Sequence, residues 1–92
     1  MLRFDYDPRK SAANVKKHGV SFDEAVTVFS DPLASTLTDN QHSLDEERFI
    51  TVGMSLLNRL LFVVYTEDVS GIRIIGARLA TATEKRQYEE VP

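Results

Sequence analysis

The sequence predicts an α+β domain in which helices pack on strands, and three stretches carry that prediction. Leu60 to Tyr65 is an unbroken apolar and aromatic run rich in β-branched residues, the composition of a strand buried on both faces. Glu67 to Gly71 is polar and ends in glycine, as a hairpin turn requires, and Ile72 to Ala77 supplies the returning strand. Phe22, Ala25, Val26 and Phe29 recur at i, i+3, i+4 and i+7, which lays one apolar stripe along a helix. Neither stripe nor strand can stay wet, so both belong to one core, with Phe22, Phe29, Leu61, Val63 and Ile74 at its centre.

The remaining elements follow in chain order. Leu2 to Asp7 alternates apolar and polar residues, as a short strand does. Asp7-Pro8 is a helix start, since Asp caps and Pro suits the first helical position. That helix runs to about His18 and stops at Gly19. Ser21 and Glu24 form a capping box for the second helix, which continues through Phe29 and ends at Asp31-Pro32. Leu33 to Asp39 reads as a weak strand, and Asp39 to Glu46 as a polar loop. Glu47 to Ser55 is a clearer strand, with Arg48, Ile50, Val52 and Met54 on one face and Phe49 and Thr51 on the other. Thr81 and Glu84 make a second capping box, opening a C-terminal helix that reaches Glu90. The order is β-α-α-β-β-β-β-α.

Ninety-two residues form one domain, 1–92, able to bury one modest core. The absence of cysteine excludes a disulfide framework, a thiolate nucleophile and a zinc-thiolate site, and fits a cytoplasmic protein. The first residues lack the apolar core of a signal peptide, and no run approaches membrane-spanning length, so no membrane partner is expected. Four scattered glycines make no nucleotide-binding loop, so no cofactor is expected. His42, with Asp39, Asp45 and Glu46 nearby, has no second ligand pair at helical spacing; a capped turn explains this loop better than a metal.

Net charge is −3, and it is unevenly distributed. Residues 1–20 hold five Lys/Arg against two Asp, residues 21–47 hold seven acids and no Lys/Arg, and residues 48–92 are nearly balanced. Such a chain can turn one face to phosphate and another to a cationic partner.

Arg48, Arg59, Arg73 and Arg78 lie on or beside three successive strands and are expected to converge at one edge of the sheet. An arginine near a core must find a carboxylate or bind an anion. The bland alternative is structural pairing, Arg48 with a nearby carboxylate and Arg73 with one on the neighbouring strand. The sharper one is phosphoryl chemistry, because several forks together stabilise the charge that develops at phosphorus. RNA brings its own nucleophile, the 2′-hydroxyl, so cleavage needs neither cysteine nor metal. Lys17, His18, His42 and Tyr88 are the candidates for holding RNA or handling protons.

The segments FDYDPRK (Phe4–Lys10), NVKKHGVSFDEAVTVFSDP (Asn14–Pro32), HSLDEERFITVGMS (His42–Ser55), RLLFVVYTE (Arg59–Glu67) and IRIIGARLATATEKRQYEE (Ile72–Glu90) together resemble the BrnT family and cover most of the chain. That resemblance implies a toxin of a type II toxin–antitoxin pair, with a RelE-like ribonuclease fold of helices on a mostly antiparallel sheet. It implies a BrnA-like ribbon-helix-helix antitoxin as partner, with operator DNA bound through the antitoxin. Tyr6 stands where the family often has tryptophan, Gly76 where serine is common, and Leu79 where a basic residue is frequent.

The reading that results is a metal-independent endoribonuclease that cleaves RNA and inhibits translation. Arg73 and Arg78 bind the scissile phosphate and Arg48 and Arg59 assist. Lys17 and His18 hold the RNA backbone, with His42 and Tyr88 as further RNA-binding groups. Asp39, Asp45 and Glu46, which cap no helix, are the candidates for gripping the antitoxin. The alternative is a RelE-like binding module that docks an antitoxin with weak or lost catalysis, favoured by the neutral Leu79 beside Arg78.

Overall fold

The computed structural model describes residues 3–39 and 47–90. The chain begins with a two-residue strand, β1 (Phe4–Asp5), followed by helix α1 (Pro8–His18). The Asp7 carboxylate accepts from the Arg9 amide at 2.8 Å, and Gly19, at φ 71°, ends the helix in the left-handed conformation that glycine tolerates. Helix α2 (Phe22–Val26) is only five residues long and tightens into a 3₁₀ turn over Thr27–Ser30. Then come β2 (Ser35–Thr38), β3 (Arg48–Met54), β4 (Leu60–Asp68), β5 (Gly71–Leu79) and α3 (Ala82–Glu89).

The five strands form one sheet in the order β1-β5-β4-β3-β2. All neighbours are antiparallel except β1, which runs parallel to β5. The element order and the α+β class are those read from the sequence. Helices α1 and α2 lie on one face, where Val20, Phe22, Ala25 and Val28 meet Leu61, Val63, Tyr65, Ile72, Ile74 and Ala77 in a single buried cluster. Asn14 fixes α1 to this layer by donating to the carbonyls of Val20, at 2.7 Å, and Ala77, at 2.8 Å.

Four local expectations need correction. Strand β4 is not buried on both faces: Leu61, Val63 and Tyr65 are buried, whereas Leu60, Phe62 and Val64 are half-buried. Helices α1 and α2 cover one face only, and α3 covers part of the other. The hairpin turn is shorter than Glu67–Gly71, because pairing continues from Asp68 to Gly71. The Asp68 carboxylate closes the tip by accepting from the Ser70 amide and hydroxyl, at 2.7 and 2.6 Å. Phe29 is half-buried at the rim, since the helix tightens before it; its ring meets those of Phe4 and Tyr65 at 5.2 and 5.0 Å. The box at Ser21 is half formed. Ser21 Oγ accepts from the Glu24 amide at 3.0 Å, but the Glu24 carboxylate turns inward to stronger donors.

Candidate nucleic-acid interface and active site

Directly opposed residues of an antiparallel pair share a face, so the register assigns each strand arginine its side of the sheet. Arg48 stands opposite Thr66, and Thr66 opposite Arg73. Arg73 in turn stands beside Asp5 of β1. These four form one row across the sheet, on the face away from α1 and α2. At about 4.8 Å between strands, the backbones of Arg48 and Arg73 are roughly 10 Å apart, with Thr66 between them. Arg73 makes an ion pair with Asp5, and both side chains are mostly in water (51% and 70% exposed).

Arg78 is on the same face but five residues farther along β5, roughly 16 Å from Arg73 at the usual rise of a strand. Its guanidinium stacks 3.8 Å above the centroid of Phe62, the residue opposite it. Both terminal nitrogens donate to Glu84 of α3, at 2.8 and 2.9 Å, so the fork that matches a phosphate already holds a carboxylate. The Arg78 hydrogen bond, more than the opposing effect of burial, holds Glu84 below the usual carboxylate range; bonds from Thr81 add to it.

Arg59 stands apart from both. It reaches to the helical layer, donating from Nε to Glu24 Oε2 at 2.9 Å and pairing also with Oε1. A terminal nitrogen donates to the carbonyl of Gly19 at 2.9 Å. Ser55 adds a third donor to Glu24 at 2.7 Å, and the Glu24 side chain is only 4% exposed. The Arg59 bond again leads in lowering the Glu24 pKa, with burial opposing it and Ser55 assisting. The four arginines therefore do not converge at one edge. Arg73 takes the structural pairing weighed as the alternative, with a carboxylate on the neighbouring strand, and Arg59 and Arg78 hold carboxylates of the helices.

The other candidates are scattered. Lys17 and His18 lie exposed in the last turn of α1, on the helical side of the sheet and near Arg59, not beside Arg48 and Arg73. The Tyr88 hydroxyl donates to Asp31 at 2.6 Å. That bond, with burial and the negative charge of Asp31, pushes the phenol up to about 12, out of range for proton transfer near neutrality. Asp31 is held below its ordinary range: burial would raise it, but bonds from the Met54 amide, Tyr88 and the Leu33 amide prevail. Asp39 follows β2, its amide donating to the Arg48 carbonyl at 2.7 Å. His42, Asp45 and Glu46 lie outside the described residues.

Helix α3 covers only part of the second face. It reaches Arg78 through Glu84 and Asp31 through Tyr88, and with Ser35, Leu37 and Val52 it encloses a cavity of about 160 Å³. The Arg48–Thr66–Arg73 end has no helix over it among the described residues. There a groove of about 420 Å³ runs past Arg73, Thr66, Asp5, Arg3 and Ser70. Gly71 forms its floor at φ 134°; a side chain there would collide with the carbonyl of Arg3, which accepts from the Ile72 amide at 2.7 Å.

Sequence reasoning missed the carboxylates. Asp5, Glu24 and Glu84 decide how free Arg73, Arg59 and Arg78 are, and the sequence presents Glu24 and Glu84 only as capping residues. No local signal marks Glu24: two residues on from Phe22 it falls roughly opposite the apolar stripe of its helix, and only its tertiary partners show why it is buried.

Comparison with known proteins agrees with this architecture. No curated protein matches the sequence. The crystal structure of the Brucella abortus ribonuclease toxin BrnT superposes with a TM-score of 0.66 at 19% identity, covering 88% of this chain and 99% of that one. The described order of strands and helices is thus shared with a solved structure. The family description "ribonuclease toxin, BrnT, of type II toxin–antitoxin system" matches residues 6–84, so this chain belongs to the BrnT family: it is a ribonuclease toxin whose substrate is RNA and whose partner is an antitoxin.

Proposed function

We propose that the chain cleaves RNA without a metal and so arrests translation in the cytoplasm, and that the open end of the second sheet face is where the scissile phosphate sits. The observation that supports this is the row in which Arg48 and Arg73 flank Thr66, with no helix over it among the described residues. A phosphate over Thr66 would lie in the row between the two arginines, where the half-exposed Arg73 fork would neutralise it as the 2′-oxygen attacks. The bond from that oxygen to phosphorus forms as the bond to the 5′-oxygen breaks. The proton leaves the first and reaches the second through water. Charge stabilisation of this kind is the largest contribution a protein makes to such a step.

Arg78 lies on the same face and extends the track along β5 once RNA competes with Glu84 for its fork. Arg59 is a strut between sheet and helices rather than part of the site. Lys17 and His18 border the far side and would meet only RNA that wraps around the sheet edge. The antitoxin in this reading is a ribbon-helix-helix protein that carries the complex to operator DNA, and Asp39, Asp45 and Glu46 contribute to its grip.

The test uses purified toxin, total RNA and a chelator. Cleavage should persist in the chelator, and Arg73→Ala should slow it roughly a hundredfold while leaving the unfolding midpoint close to wild type. Activity lost with the chelator, or retained in Arg73→Ala, would defeat this mechanism.

A further inference from the structure

Strand β2 is an edge of the sheet, and its outer side carries no strand among the described residues. The direction of its backbone groups can be read from one bond. Asp39 donates to the carbonyl of Arg48, its opposite number on β3, and bonded pairs alternate along an antiparallel ladder. Ser35 and Leu37 therefore turn their amides and carbonyls toward β3, and Thr36 and Thr38 turn theirs outward.

Free edges normally carry a device against pairing: a lysine, a proline, a bulge, or extreme shortness. The other edge, β1, has two residues. Strand β2 reads Ser-Thr-Leu-Thr, without charge or proline, and its register with β3 is unbroken. Leu33 and Leu37, before and within it, are 65% and 62% exposed. Leu37 also borders the cavity of about 160 Å³ between Val52 and Tyr88, a size that admits one aliphatic side chain. An outward ladder beside an apolar recess suits an added strand, whose ladder supplies affinity and whose recess supplies selectivity.

Charge selects the occupant. Asp31 stands before the edge and Asp39 directly after it, and residues 21–47 contain no Lys or Arg. RNA would be repelled there. An antiparallel second copy would lay one acidic flank beside another, which opposes self-pairing. We propose that the outer edge of β2 is the docking site of the antitoxin, which adds an extended segment to the sheet. That segment places an aliphatic side chain against Leu37 and basic residues at its flanks. The inference rests on the reading of this chain as a neutralised toxin, and it places the grip on the backbone edge in addition to the acidic groups around it.

Amide hydrogen exchange on the toxin alone and in complex with the antitoxin that neutralises it tests this directly. In the free toxin the Ser35 and Leu37 amides should be protected and those of Thr36 and Thr38 should exchange quickly. In the complex all four should be slow. Thr38→Pro removes an outward amide without breaking the inner ladder and should weaken antitoxin binding about tenfold. Thr38→Val keeps the amide and should bind as wild type. RNA cleavage by the free toxin should be the same in all three proteins. If cleavage is absent from wild type, the ribonuclease mechanism fails, whatever the exchange shows. If cleavage is normal but Thr36 and Thr38 exchange equally fast with and without antitoxin, the docking site is wrong. Protection that rises with toxin concentration alone would assign the edge to a second copy and overturn the proposal as well.

Discussion

Arg59, just before β4, and Arg73, within the adjacent β5, carry the same side chain, and the fold uses them in opposite ways. Arg59 is joined to a carboxylate withdrawn from water, with Ser55 and the end of α1 completing the network. Arg73 is joined to Asp5 in the open, where both groups keep most of their hydration. A buried pair is costly to break from one side, because the charge left behind cannot be rehydrated. An exposed pair contributes 0–1 kcal/mol by general experience, and either member exchanges partners readily. The difference separates an arginine locked into the fold from one whose partner is readily exchanged. Arg78 is the intermediate case: its fork is fully taken by Glu84, yet a third of its side chain remains exposed. Removing the carboxylate from each pair in turn tests whether burial of the partner sets the role of the arginine.

The largest effect is expected at Glu24. Glu24→Gln leaves the Arg59 guanidinium with a neutral partner and should cost about 2–3 kcal/mol, discounted because Arg59 itself is one-third exposed. The Glu24 carboxyl is held below its ordinary range in the folded protein, first by Arg59. Its contribution is therefore complete above the pKa of an unfolded glutamate and is lost as pH falls through the folded one. Urea denaturation across acid pH should show wild type losing stability more steeply than Glu24→Gln. Equal slopes would mean that Glu24 does not anchor Arg59.

Much of the fold was legible because its signals are local. Asp7-Pro8, Gly19, Ser21 and the Thr81–Glu84 box act within one turn of chain, and each stands where its chemistry demanded. The alternation of Arg48, Ile50, Val52 and Met54 against Phe49 and Thr51 likewise needs only a strand's period of two. The site was less legible because it depends on register. Nothing in the sequence states that Arg48, Thr66, Arg73 and Asp5 share a row, since that follows from three pairings, one with a strand 68 residues away. The same holds for Glu24, whose partner is 35 residues distant. The arginines attracted notice as charges in apolar strands, but their distinct roles come from tertiary partners with no local signature.

A smaller effect is expected at Glu84, which performs two duties. It closes the capping box with Thr81, accepting from the Thr81 amide at 2.9 Å, and it clamps Arg78. Glu84→Gln keeps part of the cap but loses the charged fork, for a cost of about 1–2 kcal/mol. Because α3 buries no residue completely, much of that loss should appear as fraying of the helix, visible as faster exchange of its amides. RNA binding should improve as Arg78 is released. A loss as large as that at Glu24 would show that exposure does not grade these pairs.

The smallest stability effect, and the sharpest functional one, is expected at Asp5. Asp5→Asn removes one charge from a surface pair and should change stability by less than about 0.5 kcal/mol. The same change takes a negative charge out of the groove beside Arg73 and leaves the fork for phosphate. Single-stranded RNA should bind more tightly at low salt. If Arg73 gains one phosphate contact, the slope of log affinity against log salt should steepen by about 0.7. If Arg73 binds the scissile phosphate as proposed, cleavage should hold or rise, because Asp5 would no longer compete with the substrate for it. A variant that folds as wild type but cleaves more slowly would mean that the carboxylate itself serves the reaction, by orienting Arg73 or taking a proton. Asp5 and Arg73 would then act as one unit, and the exposed pair would be as purposeful as the buried one.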